Sequence, residues 1–291
     1  MHRLAALSAA TLVIVLAACS GAAAPSGSPR PTGSPTASPA PSGVVQGTVF
    51  RAWTTQALPP AATFSWGSTA VISDGQLIVS GPIPMIYPGP LMPNLIQRSI
   101  TPAGVDRIFA AAHAAGLLAG PTDLTGGIAP GGMTAHLLFL LDGQEREVLG
   151  DPNKVMMCIA APCVPPAGSP EAFGQFWSQV SDVAAIAGDE LGPEQRYEPT
   201  RLAVLVTDPP KDDSGLKPGL AQWPLTTPLR EFGTAFGGGT DRCGVVEGAD
   251  LALLLPAAQE ANALTQWTDG TTGGRVLVVR PLVPGEPDPC G

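Results

Sequence analysis

Apolar and polar residues alternate along two stretches of this chain, and each alternation turns back at an Asp-Gly pair. Asp74-Gly75 separates Thr69–Ile72 from Gln76–Val79, and Asp142-Gly143 separates Ala135–Leu141 from Gln144–Leu149. Asp-Gly accepts the positive φ angles of a type I′ turn, so both stretches predict β-hairpins. A third pair, Asp269-Gly270, precedes the apolar strand Arg275–Arg280, and Arg201–Thr207 reads as a further strand. Helical spacing is rarer. Thr101-Pro102 supplies an N-cap and a first-turn proline, then Val105, Ile108, Phe109 and Ala112 mark one face before Gly116. Ser169-Pro170-Glu171 opens a second helix in which Phe173, Trp177, Val180 and Ala184 share a face as far as Gly188. A third runs from about Asp250 to Asn262, and Pro256 must kink it or mark a later start. The order β-β-α-β-β-α-β-α-β predicts an α+β fold, a mainly antiparallel sheet with helices on one face.

Two segments at the start stand outside this pattern. Leu4–Ala18 is apolar apart from Ser8 and Thr11, follows Arg3, and at 15 residues is shorter than the ~20 a bilayer span takes. Its end, Leu16-Ala17-Ala18-Cys19, resembles the lipobox of bacterial lipoproteins. That resemblance implies a signal peptide over 1–18, cleavage before Cys19, and diacylation of the Cys19 sulfur by palmitate-class chains. The chain would then sit on the extracytoplasmic side of the cell membrane, its membrane partner reached through lipid. Residues 19–43 are rich in Ser, Pro and Gly with Arg30 as their one charge, which predicts a disordered tether. Extended, it reaches roughly 75 Å at about 3.1 Å per residue. The α+β domain occupies 44–291, with a possible break into two subdomains near 190–200.

Charge narrows the partners. The chain carries 15 Lys and Arg against 24 Asp and Glu, a net of −9, which repels nucleic-acid phosphate. Beyond Cys19 there are four cysteines, and an even count in an exported chain reads as two disulfides with three possible connectivities. Cys158–Cys163 and Cys243–Cys290 are favoured, the first closing a short loop and the second pinning the Pro-rich tail. Met156 and Met157 beside Cys158 and Cys163 offer the rival of a soft-metal site. The spacing is not that of zinc and exported thiols oxidise, so neither metal nor cofactor is expected.

Catalytic signatures are missing: there is no Gly-x-Ser-x-Gly elbow and no His-Glu-x-x-His. Gly237-Gly238-Gly239-Thr240 lacks the lysine and helix of a phosphate loop. A carboxylate hydrolase would need Glu247, Asp250, His113 and His136 to converge. Calcium at Asp208, Asp212 and Asp213 would find few oxygens. Trp223 and Trp267 either form a sugar- or peptide-binding face or pack in the core, and burial is the commoner fate of Trp.

From Asp241-Arg242-Cys243 through Thr265-Gln266-Trp267 to Val279-Arg280-Pro281 and Cys290, a stretch of about 50 residues resembles a group of uncharacterised exported or lipid-anchored proteins of high-GC bacteria. The resemblance implies the Cys243–Cys290 pairing and structural roles for Trp267 and Arg280, and brings no catalytic residue. The expected function is a non-catalytic binding or interaction module of the cell envelope, taking a protein, peptide or envelope ligand. A cell-envelope hydrolase is the alternative, and a transporter's solute-binding protein a weaker one.

Overall fold

The computed structural model describes residues 46–58, 60–65, 67–129, 131–155, 164–180, 182–211, 215–271 and 273–291. The lipobox with Cys19, the tether, Met156, Met157, the Cys158–Cys163 pair, Asp212 and Asp213 lie outside the described residues.

Two sheets form where one was expected. The first is built from β1 (Thr48–Gln56), β2 (Ser68–Ser73), β3 (Gln76–Ser80), β4 (Leu95–Ser99), β5 (Asp123–Leu124), β6 (Met133–Leu141), β7 (Gln144–Gly150) and β8 (Gln195–Arg196). Its spatial order is β5-β7-β6-β1-β2-β3-β4-β8. The second is built from β9 (Arg201–Thr207), β10 (Leu220–Gln222), β11 (Thr234–Ala235), β12 (Arg242–Glu247), β13 (Gln266–Thr268) and β14 (Arg275–Pro281), ordered β10-β13-β14-β9-β12-β11. Among the described residues only β5–β7 and β10–β13 pair in parallel. The class is α+β with mainly antiparallel sheets, and the chain passes from one sheet to the other between Arg196 and Arg201.

Local chemistry explains the turns. Asp74 and Gly75 take φ of 50° and 70°, and Asp142 and Gly143 take 50° and 75°, as a right-twisted two-residue hairpin requires. Helix α1 (Pro60–Thr63) is a single turn, and α2 (Pro102–Ala114) begins where the Thr101 hydroxyl accepts the Gly104 N–H. The second predicted helix divides into α3 (Pro170–Val180) and α4 (Val183–Ala187). The Asp182 carboxylate caps the Ala185 N–H and starts a new helix instead of continuing the old one. Helix α5 (Gly248–Glu260) runs through Pro256 and buries Leu251, Leu254 and Ala258.

Each sheet lays one face against helices. On the first, Phe50, Phe139, Phe109 of α2 and Phe176 of α3 pack ring to ring at 5.3 to 6.2 Å. On the second, Leu202, Val204 and Val206 of β9 meet α5, Trp223 and Trp267. The opposite face of β9 buries Ala203 and Leu205 beside Cys243 and Leu282, so β9 is covered on both sides. That is why Leu202–Val206 is unbroken apolar sequence.

The two sheets share one buried ionic cluster. Arg51 of β1 and Arg280 of β14 both reach Glu286, whose side chain has no exposed surface. The Glu286 carboxylate also accepts the Val283 N–H at 3.1 Å. Arg51 donates to the Ser68 hydroxyl at 2.8 Å and to the Gly285 carbonyl at 3.3 Å. Burial draws the Arg51 guanidinium below its ordinary pKa, while Glu286 holds it up. Tyr197 hydrogen-bonds the Leu282 carbonyl at 3.0 Å, and burial followed by Glu286 raises its phenol. Cys243 and Cys290 form a disulfide that ties this tail to β12. Two disulfides were expected; one is found among the described residues.

Removing the cross-link by Cys243→Ser with Cys290→Ser should lower stability by about 4 kcal/mol, the chain-entropy value for a loop of that length. Urea unfolding measures it, and a loss near zero would show that the tail is held by packing alone. Glu286→Ala strands two guanidinium groups and should cost about 3–5 kcal/mol. Glu194→Ala, which removes an exposed carboxylate paired with half-buried Arg98, should cost less than about 1 kcal/mol. Equal losses for the two would remove the cluster's claim to hold the sheets together.

Candidate functional site

The long connection between β3 and β4 makes one wall of a groove. Its neck is closed by Gly81 N–H to the Asn94 carbonyl at 2.8 Å and by the Asn94 amide to the Pro82 carbonyl at 3.0 Å. A side chain at Gly81 would run into the side chains of Asn94 and Ile96, which would have to shift to admit it. The connection then leans on the segment after α5, where Leu91 N–H donates to Ala261 and Ala263 N–H to Gly89. Leu91 and Met92 enter the core of the second sheet there.

Between this wall and β14 lies a groove of about 700 Å³. Val276–Val279 form one side, Ile83, Pro84, Pro90 and Pro93 the other, with Ser65, Asn94, Thr207 and Asp208 as its polar side chains. An apolar cleft of this size with few polar groups is the ordinary form of a small-ligand site. Beyond its lip, Met85 is fully exposed, Ile83 is 71% exposed, Ile86 64% and Tyr87 63%. No sequence expectation named these residues. A signal was present: from Gly75 to Gln97 the chain has no charged residue and no histidine, and five prolines fall between Gly81 and Pro93.

A second arrangement lies on the outer face of the first sheet. Its pairing sets Trp53 opposite His136 and Leu138 opposite Glu147. His136 stacks on Trp53 at 4.8 Å, and the Arg51 guanidinium sits 4.4 Å from the same ring. His136 Nδ1 lies 2.8 Å from the Glu147 carboxylate and Nε2 lies 2.7 Å from the Thr55 hydroxyl. The carboxylate only accepts, which places a ring proton on Nδ1; in the neutral ring Nε2 is then the acceptor for the Thr55 hydroxyl. Hydroxyl, imidazole and carboxylate thus stand in the order of a hydrolytic triad, on an open sheet face with Thr55 and Glu147 exposed.

The other residues singled out by sequence do not gather. His113 is exposed on α2. Glu247 ion-pairs with Arg201, and Asp250 is exposed in the first turn of α5. His136 is held by Glu147 and Thr55, not by Glu247 or Asp250. Asp208 pairs with Arg275 and accepts from Thr240. Trp223 and Trp267 meet edge to face at 6.4 Å inside the core and form no binding face. Among the described residues no three His, Cys, Asp or Glu gather as a metal site would need, and no helix is long and apolar enough to cross a membrane. No family model, curated protein or solved structure matches the chain.

Proposed function

We propose that the chain is a lipid-anchored, extracytoplasmic binding protein and that its groove holds an apolar ligand, an acyl chain of an envelope lipid. The observation that carries this reading is the groove itself, whose walls offer valine, leucine, isoleucine and proline and only a few polar groups at the edge. Such walls reward burial of methylene groups at about 0.8 kcal/mol each and give little to a sugar or a charged peptide. The Cys243–Cys290 disulfide accords with an oxidising compartment. The lipobox resemblance at Leu16, Ala17, Ala18 and Cys19 supplies the anchor. In this reading the protein carries out no chemistry and needs no cofactor.

The test is titration with a fluorescent fatty acid below its micelle concentration. The chain from residue 37 onward, which carries the core clusters of both sheets, should bind saturably. Val278→Glu, which sets a charge on the groove wall, should weaken binding at least tenfold. If that variant loses its fold, Ala263→Trp fills the groove from another side and should do the same. Absence of saturable binding by the unaltered chain would sink the reading.

One observation favours a second reading, a hydrolase. Thr55, His136 and Glu147 have the donor order to move a proton from hydroxyl to imidazole as the oxygen attacks an ester carbon. The acyl group would pass to Thr55 Oγ1, the proton to the departing alcohol, and water would then release the acid. A fluorophosphonate probe should label Thr55 and leave Thr55→Val and His136→Ala unlabelled if this holds. Equal labelling of all three proteins, or none, would return the trio to a structural role.

A further inference from the structure

We infer that the tip of the β3–β4 connection, Met85-Ile86-Tyr87 with Ile83 behind it, seats in the interface of a lipid bilayer and turns the mouth of the groove toward it. Four large side chains within five residues stand out into solvent. Isolated exposed apolar residues are ordinary, but a projecting cluster is not. Three features of the loop select a membrane as its occupant. First, Gly75–Gln97 holds no charged group, so the segment has no ion to desolvate and seeks no counter-charge on a protein partner. Protein interfaces ring their apolar centres with polar and charged residues; this tip has no charged residue within reach along the chain. Second, prolines at 82, 84, 88, 90 and 93 lack the backbone N–H. Unpaired donors are the main obstacle to seating irregular backbone against lipid, and here five are already gone. Third, Tyr87 is the residue type that settles at the headgroup level, with a polar end in water and a ring in the acyl boundary.

The neck at Gly81 and Asn94 holds the loop upright, and Ile83 and Pro84 belong both to the tip and to the groove wall. Docking by the tip therefore presents the groove's mouth to the bilayer. The net charge of −9 determines the kind of surface. Attraction to anionic lipid is absent, so binding runs on apolar burial and is insensitive to salt. The inference rests on the loop's chemistry and stands whatever the groove takes.

The experiment is co-sedimentation of the chain from residue 37 onward, which lacks Cys19, with phosphatidylcholine vesicles and with vesicles containing one-third phosphatidylglycerol. Binding to phosphatidylcholine, unchanged in 0.5 M NaCl and weakened at least tenfold by Met85→Asp with Ile86→Asp, is the expected result. Both side chains are exposed and neither lines the groove, so the double variant should keep its fold and its affinity for soluble fatty acid. That separates failure of the docking tip from failure of the groove reading. No binding, equal binding by the variant, or binding only to the anionic vesicles and lost in salt would each overturn the proposal. So would a lipid-free dimer that the double variant dissolves, since the tip would then belong to a second copy.

Discussion

One carboxylate holds this fold together. Glu286 is removed from water between Arg51 of the first sheet and Arg280 of the second. A buried charge is tolerable only when paired and hydrogen-bonded. Each partner therefore fixes the others: the tail must lie between the sheets, Ser68 must orient Arg51, and the Val283 N–H must face the carboxylate. The pairing with Arg51 also sets the neighbouring row, because the guanidinium lies over Trp53, which in turn stacks on His136. The Arg280 Nε, buried and without a hydrogen-bond partner among the described residues, shows how tightly the cluster is enclosed.

Much of the local structure was written in short-range chemistry. Asp-Gly pairs announced two hairpins, and Thr101-Pro102 announced α2, because turns and caps depend on residues within four positions of one another. Strand β1 escaped notice although it lies in the middle of its sheet. Its inward positions, Phe50 and Ala52, alternate with Arg51 and Trp53, and an arginine in a central strand reads as a surface residue until its distant partner is known. Glu286 was hidden for the same reason, since it stands in a proline-rich stretch resembling an exposed tail. The split between the two sheets was equally non-local. Period-two patterning identifies strands and their faces, but not which edge each will join.

The candidate sites show the same division. The Thr55–His136–Glu147 row comes from three strands and depends on register, which no sequence pattern specified. The groove could have been anticipated from one regional property, the charge-free run between Asp74 and Arg98. The two sites also differ in physics. In the first, polar groups satisfy one another on an open sheet face, a state that needs no ligand. In the second, apolar walls enclose space that water fills poorly, and a ligand's burial is the natural completion. That asymmetry is why the groove carries the main reading.

The distance between Arg51 and the tail in the chain has a consequence for biosynthesis. The hydrogen bond from Arg51 to the Gly285 carbonyl spans 234 residues. Contacts of such long range form late, after the intervening chain has been assembled. The first sheet cannot neutralise its own buried guanidinium until the segment carrying Glu286 has emerged. A nascent chain therefore stays short of its final packing until its last residues have been made. A product truncated before Glu286 would keep two unmatched cations in its interior, and the cell's proteases would find it open.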